Sequence, residues 1–172
     1  MPPTVTLHEL NTGDEAAFVA AVAPLFEGAP AFVARAWPAR PFADREALHD
    51  ALTSAMLEAS ADEQVALIAA HPDLVGRAAR QGTLSPDSTR EQAAAGLDRL
   101  TAEEVATFAS LNAAYRAKFG FPFVICAREN KKDSILAGFR ARQAHTRDQE
   151  IAAALREVSK IVWLRLVDRV AE

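Results

Sequence analysis

The spacing of the apolar residues is the feature that most constrains the fold of this chain. Alanine is abundant, and the apolar side chains recur mostly three and four positions apart, the period of an α-helix rather than of a strand. The one plausible strand is the apolar run at residues 121–126, and a single strand cannot make a sheet. We therefore predict an all-α fold, a single-domain bundle over residues 1–172 with about eight packed helices.

Capping signals predict where most of the helices begin and end. Thr101 and Glu104 fit a capping box ahead of a helix that Gly120 can terminate. Asp44 can cap another helix, and Asp148 is predicted to start the final one, which runs to about residue 170. The other predicted limits are caps within Asn11 to Asp14 with an end at Gly28, a short helix through Phe32 that stops before Pro38, a start at Asp62 with a stop at Pro72, and a cap at Asp133.

Charge and cysteine content narrow the class of protein. A net charge of −4 and a pI near 5.6 argue against nucleic acid as a partner, because binding it needs a clustered basic face. The single cysteine, Cys126, excludes an intramolecular disulfide, and no window approaches the roughly 18 apolar residues of a membrane span. Residues 1–10 do not resemble a signal peptide, and residues 170–172 do not form a peroxisomal address, so the expected location is cytoplasmic.

His71 is a candidate acid–base residue. Pro72 disfavours the helical conformation at His71, so the histidine is predicted to lie where a helix ends. The carbonyl groups at that end favour a proton on the imidazole, and histidine suits proton transfer near neutral pH. A histidine that only caps the carbonyl groups remains the alternative, and on this pattern alone it is the commoner case.

Residues 88–92 (STREQ) form a polar segment at a predicted helix start. Ser88 and Glu91 fit a capping box, which accounts for both residues without any chemistry and is favoured by the spacing. Ser85 and Pro86 can also start a helix, and two signals so close together indicate an irregular start. A turn rich in donors and acceptors beside a helix N-terminus equally suits an anionic or polar ligand.

Arg165 occupies an inward position of the final helix. The inward stripe consists of Ile151, Leu155, Val158 and Val162, and the next position on it is Arg165. An unpaired guanidinium in such surroundings costs several kcal/mol, so it needs an anion that its planar fork can hold. The sequence leaves three possibilities open: a bound carboxylate, an internal Asp or Glu, and a side chain that extends to solvent.

Residues 118–126 (KFGFPFVIC) combine an apolar run with two residues that break regular backbone, Gly120 and Pro122. Such a break leaves buried N–H and C=O groups that need partners, and a ring with amide-like edges would serve. A packed core linker is the commoner use of a run like this. No metal site is predicted, because one cysteine and four separated histidines offer no ligand spacing.

Four sequence blocks together resemble the 2-oxo-4-hydroxy-4-carboxy-5-ureidoimidazoline (OHCU) decarboxylase family. They are HPDLVGR at 71–77, STREQ at 88–92, KFGFPFVICAR at 118–128 and IAAALREVSKIVWLRL at 151–166. The blocks follow the family order, and the likeness covers nearly the whole chain. The missing peroxisomal tripeptide is the one departure, and it bears on the compartment rather than on activity.

The resemblance implies a fold of packed helices, often a homodimer, that uses neither a cofactor nor a metal and decarboxylates OHCU to (S)-allantoin in urate catabolism. His71 is implied to act as a general acid or base with Glu91 beside it, and Arg165 to bind a carboxylate or ring oxygen of the small anionic substrate. The full set of implied substrate-binding residues is Pro72, Ser88, Thr89, Arg90, Gln92, Phe123, Val124, Ile125, Cys126, Ala127 and Arg165.

Two other functions remain open at this point. One is a helical binding or scaffold module without catalysis, in which these residues are helix caps and internal ion pairs. The other is a different cofactor-free lyase or isomerase that acts on a related ureido acid.

Overall fold

A computed structural model describes residues 4–172, apart from the side chain of Ala78, and within this range the regular structure is almost entirely helical. The α-helices are α1 Leu7–Thr12, α2 Glu15–Val22, α3 Arg45–Glu58, α4 Ala61–Ala69, α5 Arg77–Gln81, α6 Pro86–Ala94, α7 Ala102–Phe119, α8 Lys132–Arg142 and α9 Arg147–Arg169. Three 3-10 helices accompany them, at Ala23–Leu25, Ala31–Ala39 and Ala127–Glu129. The predicted all-α class is confirmed. The prediction that residues 1–10 do not form a signal peptide falls partly on residues 1–3, which lie outside the described residues.

The chain divides into two compact units. The first contains the residues up to Leu67 together with Ser159–Glu172, and the second is Ile68–Val158. Helix α9 therefore begins in the second unit and ends in the first. The single domain over residues 1–172 stays a prediction.

The first unit contains a small sheet that the sequence did not predict. Strand β1 (Val5–Thr6) pairs in parallel with strand β2 (Val170–Ala171), so the two ends of the described chain meet. Two residues in each strand are too few to show the alternation by which strands are recognised. The run at 121–126, the one plausible strand by its sequence, is irregular backbone, as Gly120 and Pro122 indicated, and Pro122 could not donate to a ladder.

Helix limits are correct where capping and periodicity agree. Thr101 and Glu104 form the predicted capping box of α7, and Gly120 ends that helix with a φ of +81°. Asp44 caps α3 as predicted. The stop before Pro38 is wrong, because Pro38 lies within the 3-10 helix Ala31–Ala39, near its last turn, where a proline removes a single donor.

Aromatic side chains build the core of the second unit. Tyr115 of α7 packs edge-on against Phe123 with ring centroids 5.3 Å apart, and Phe123 stacks on Phe139 of α8 at 3.9 Å. Phe119 and Phe121 join the same cluster around Tyr115. These contacts fix the irregular segment 121–126 against α7 and α8.

The inward stripe of α9 is confirmed. Leu155, Val158, Val162 and Arg165 are all buried, and Ile151 at the start of the stripe is partly buried. Among the described helices, none combines the length and the apolar character that a bilayer crossing requires.

Candidate active site

His71 lies in the turn that follows α4. The helix ends at Ala69, and the His71 backbone N–H donates to Ile68 O at 3.1 Å. The residue is buried, with 7% of its surface exposed. The prediction that His71 sits where a helix ends is confirmed, and Pro72 directly follows it.

The turn after His71 is held in a strained conformation. Val75 has a φ of +53°, in the left-handed region that β-branched residues avoid at a cost of about 1–3 kcal/mol. Its N–H donates to Gln92 Oε1 at 3.1 Å, and the preceding carbonyl, Leu74 O, accepts from Asn112 Nδ2 at 2.8 Å. The Asp73 carboxylate accepts from Arg116 Nε at 2.9 Å. Helices α6 and α7 therefore both fasten this turn.

Helix α6 has one clear start, at Ser85. The Ser85 hydroxyl accepts from the Ser88 N–H at 3.1 Å, and Pro86 is the first helical residue. The predicted capping box of Ser88 with Glu91 and the predicted irregular start are therefore wrong, because the earlier Ser-Pro signal takes the cap position. Ser88 instead lies in the first turn, where it is buried on the same face as Gln92, four residues on.

Thr89 and Arg90 lie on the exposed side of α6. The Thr89 hydroxyl donates to Ser85 O at 3.0 Å, and Arg90 forms an ion pair with Asp87. Thr89 and Gln92 also line a cavity of about 340 Å³ in the second unit, together with Val75, Ala79, Arg80, Gly82, Leu84, Ala93, Leu97, Asp98, Leu100 and Val105. Substrate binding by Thr89 and Arg90 stays a prediction, since these contacts account for both side chains without a ligand.

Protein groups pair with part of the irregular segment that precedes Ala127. Val124 O accepts from Arg142 Nη1 at 2.7 Å, and Cys126 N–H points to Glu157 Oε1 at 3.4 Å. The backbone N–H and C=O groups of Phe123 and Ile125 have no hydrogen-bond partner among the groups of residues 4–172. Polar backbone edges are therefore available in a segment in which Phe123, Val124, Cys126 and Ala127 are buried and Ile125 is partly buried.

The electrostatics of Cys126 show what surrounds this segment. The pKa of its thiol is raised to about 11, chiefly by burial and to a smaller extent by the nearby carboxylates of Glu129, Glu157 and Glu91. A thiol with a raised pKa is a poor nucleophile at neutral pH, so Cys126 behaves as a small buried hydrophobic residue. Helix α6 also contacts the 3-10 helix Ala127–Glu129, so Glu91 and the irregular segment are neighbours.

A buried ionic network supports the same segment. The Glu150 carboxylate is completely buried and accepts from Tyr115 Oη at 2.5 Å, Arg142 Nε at 2.8 Å and His145 Nδ1 at 2.8 Å. Burial, followed by the bond to Glu150, raises the pKa of the Tyr115 hydroxyl. Since Arg142 also holds Val124 O, the network ties α7, α8 and α9 to the irregular backbone.

Arg165 is buried, with 3% of its surface exposed, as the stripe predicted. Its Nη2 donates to Glu27 Oε1 at 3.1 Å, and its Nη1 donates to Leu25 O at 3.4 Å. Of the three possibilities left open by the sequence, extension to solvent is excluded and the internal ion pair is present. Arg165 belongs to the first unit and His71 to the second, and their cooperation in one site stays a prediction.

Asn112 and Glu27 were not predicted from the sequence, although Asn112 carried a readable signal. Phe108, Asn112, Tyr115 and Phe119 follow steps of four, three and four along α7, and all four are buried. Asn112 is thus a polar residue on an apolar stripe, which is the same signal that singled out Arg165. Glu27 lies in a turn and offers no such pattern.

Comparison with known proteins decides the family. The OHCU decarboxylase family model matches residues 11–167, which is most of the chain. The chain belongs to the OHCU decarboxylase family. An OHCU decarboxylase of Halalkalicoccus jeotgali is 38% identical over 94% of this chain and 90% of its own length, and one of Haloferax volcanii is 38% identical over 96% of both.

Solved structures agree with the family assignment. A crystal structure of (S)-allantoin synthase matches 96% of this chain with a TM-score of 0.73 and 28% identity, and this chain spans 54% of that longer protein. A crystal structure of an OHCU decarboxylase in the presence of (S)-allantoin matches with a TM-score of 0.67 at 19% identity, a likeness of fold.

In this OHCU decarboxylase family member, residues 4–172 contain no group of three or more His, Cys, Asp or Glu side chains arranged to hold a metal ion.

Proposed function

We propose that this protein is a carboxy-lyase that decarboxylates OHCU to (S)-allantoin in urate degradation. One structural observation carries the proposal beyond family membership: three of the four sequence blocks meet in the second unit. Gln92 of α6 bonds to the turn that begins at His71, and α6 also contacts the 3-10 helix that follows Cys126. The polar helix α6 thus contacts both the turn that begins at the buried His71 and the 3-10 helix that follows the irregular backbone.

The chemistry follows from the substrate. One ring carbon of OHCU carries both a hydroxyl and a carboxylate and lies next to a C=N bond. When the C–C bond to the carboxylate breaks, carbon dioxide leaves and the electron pair moves into the C=N bond. The substrate itself is therefore the electron sink, which is the part that a cofactor otherwise supplies.

Two protons then have to be managed, the hydroxyl proton and the one delivered to the developing enamine. We assign this work to His71, with Glu91 orienting it, because histidine titrates near neutral pH and His71 is held in a turn fixed by α6 and α7. Delivery of the proton to one face of the ring gives one enantiomer of allantoin.

Binding groups are assigned by their chemistry. Ser88 and Gln92 offer a hydroxyl and an amide on one buried helix face for the polar ring. The peptide edges of residues 123–127 suit the ureido or ring amide groups, and Pro72 lines the pocket. Arg165 is assigned to the carboxylate or a ring oxygen, a role that it would share with its ion pair to Glu27.

We also propose that the enzyme is a cytoplasmic homodimer that needs no cofactor and no metal. Light scattering after gel filtration tests the dimer, since the protomer mass is 18.5 kDa and twice that mass is expected. Elution at the mass of one chain would contradict the dimer and leave the reaction untouched.

Isotopic labelling tests the reaction itself. OHCU is made freshly from urate labelled with ¹³C at the carbon that becomes the carboxylate, and ¹³C NMR follows the label into bicarbonate. We expect release in proportion to protein concentration and no acceleration by His71→Asn. Release at the protein-free rate would instead favour a scaffold or a lyase for another ureido acid.

A further inference from the structure

We propose that Asn112 is a positioning residue of this enzyme, which holds the turn after His71 and thereby orients the imidazole. Asn112 lies on α7, outside all four sequence blocks that resemble the family. The inference rests on the proposed function for its kinetic readout, and a second readout below is independent of turnover.

Both polar groups of one peptide unit, its C=O and its N–H, are hydrogen-bonded to side chains. The peptide group joining Leu74 to Val75 has its C=O bonded to Asn112 Nδ2 at 2.8 Å and its N–H bonded to Gln92 Oε1 at 3.1 Å. All four residues are buried, with 5–7% of their surface exposed, which limits competition from water for either bond. The plane of that peptide group is therefore set by two side-chain amides from two helices.

These two hydrogen bonds matter because the backbone at Val75 is strained. Val75 has a φ of +53°, and a β-branched residue released from its partners would return to a negative φ. Such a change rotates the peptide group and moves the chain that leads back to His71. Arg116 lies four residues after Asn112 on α7 and binds Asp73, which belongs to the same backbone turn as Leu74 and Val75. Helix α7 therefore binds this backbone turn from two successive turns of the helix.

The energetics of Asn112 point to the same role. Its Oδ1 is buried and has no hydrogen-bond partner within residues 4–172, and an unsatisfied buried oxygen costs free energy. Its neighbours on the stripe, Phe108, Tyr115 and Phe119, are aromatic, and leucine at 112 would avoid the cost while favouring the helix. The bond to Leu74 is what leucine would lose.

The first test is Asn112→Leu, which removes both the donated bond and the unpaired oxygen. We expect kcat to fall about 10- to 100-fold, the effect of misplacing a reacting group by an ångström or less, with KM changed by less than about threefold. The thermal midpoint should stay close to that of the wild type. Full kcat in a folded Asn112→Leu enzyme would overturn the proposal.

Phe108→Leu is the matched control. Phe108 lies one turn earlier on the same stripe, is fully buried and contacts Phe139 of α8. Its substitution should lower the thermal midpoint through lost packing while leaving kcat per folded molecule unchanged. If both variants lose kcat only in proportion to their loss of folded protein, Asn112 is structural and the proposal fails.

Asn112→Asp adds a pH readout that a purely structural role would not produce. An ionised aspartate cannot donate to Leu74 O, whereas a protonated one can. The ratio of kcat for Asn112→Asp to kcat for the wild type should therefore rise as the pH is lowered. Taking the ratio at each pH removes the pH dependence that the two enzymes share, and a ratio independent of pH would contradict the proposal.

The last readout separates this inference from the reaction. NMR of the imidazole of His71 should show shifted or broadened ring resonances in Asn112→Leu and unchanged ones in Phe108→Leu. If the wild type fails to turn over OHCU but this difference is seen, the proposed function fails and the positioning stands. Unchanged His71 resonances in Asn112→Leu would overturn the positioning whatever the activity.

Discussion

Arg165 Nη2 donates to Glu27 Oε1 across 3.1 Å, and both side chains are largely shielded from solvent. The buried guanidinium therefore has an anion within its own chain before any substrate arrives. Breaking such a pair is strongly destabilising, so a loss of stability in Arg165→Ala cannot by itself distinguish an enzyme from a scaffold. Substitutions that keep the charge are needed instead.

We predict that Arg165→Lys lowers kcat/KM for OHCU about 10- to 100-fold, because lysine keeps the positive charge but loses the planar fork that binds a carboxylate. The thermal midpoint should change by only a few degrees. Steady-state kinetics and thermal unfolding check the two parts. Glu27→Gln is the control, which should lower the midpoint without weakening substrate binding. Wild-type kcat/KM in Arg165→Lys would remove Arg165 from the site.

For His71, we predict that His71→Asn lowers kcat by about 10²–10⁴-fold while far-UV circular dichroism stays unchanged, because only the proton-transfer group is lost. Glu91→Gln should lower kcat by a smaller factor, since it acts by orienting His71. The exposed residue His8 offers a matched control, and His8→Asn should keep full activity. Normal turnover by His71→Asn would end the acid–base assignment.

The fold was predictable where an element is long enough to carry its own signal. Helices α3, α7 and α9 span 14, 18 and 23 residues, and their periodicity and most of their end signals could be read directly. Helices α1 and α5 have six and five residues, too few for a period to appear. The pairing of the chain ends depends on tertiary contacts that no local pattern carries.

In the candidate site, too, residues that carry a local sequence pattern were predictable, and residues placed only by tertiary contacts were not. Arg165 was found because a charge interrupts an apolar stripe, whereas Asn112 was missed because the adjacent Leu111, which is only partly buried, fits the apolar pattern of α7 equally well. The partners of these residues were not predictable. Glu27 lies in a turn, and the bond from Val75 to Gln92 joins positions that only the folded chain brings together.

The network around Glu150 gives a prediction about stability. Glu150→Gln leaves the buried Arg142 without its anion and should cost about 3–5 kcal/mol in the free energy of unfolding. Tyr115→Phe removes one hydrogen bond to the same carboxylate and should cost about 1–3 kcal/mol. Urea denaturation measures both. Effects below about 1 kcal/mol in both variants would contradict the network's importance.

Cys126 gives a prediction about pH. Burial raises the pKa of its thiol from about 9 to about 11 in the folded protein, so above pH 9 the unfolded thiol loses its proton before the folded one does. The associated stabilisation is complete below pH 9 and is lost as the pH rises through 11. Urea denaturation at several pH values should show a steeper decline for the wild type than for Cys126→Ala. Parallel declines would contradict the raised pKa.

Stereochemistry tests the central claim most directly. Freshly prepared OHCU decays spontaneously to racemic allantoin, whereas proton delivery from one fixed side by His71 gives a single enantiomer. Circular dichroism should therefore show rapid appearance of optically active (S)-allantoin when the protein is added, and no signal with His71→Asn. Allantoin that forms at the spontaneous rate and without optical activity in the presence of the wild-type protein would contradict the account.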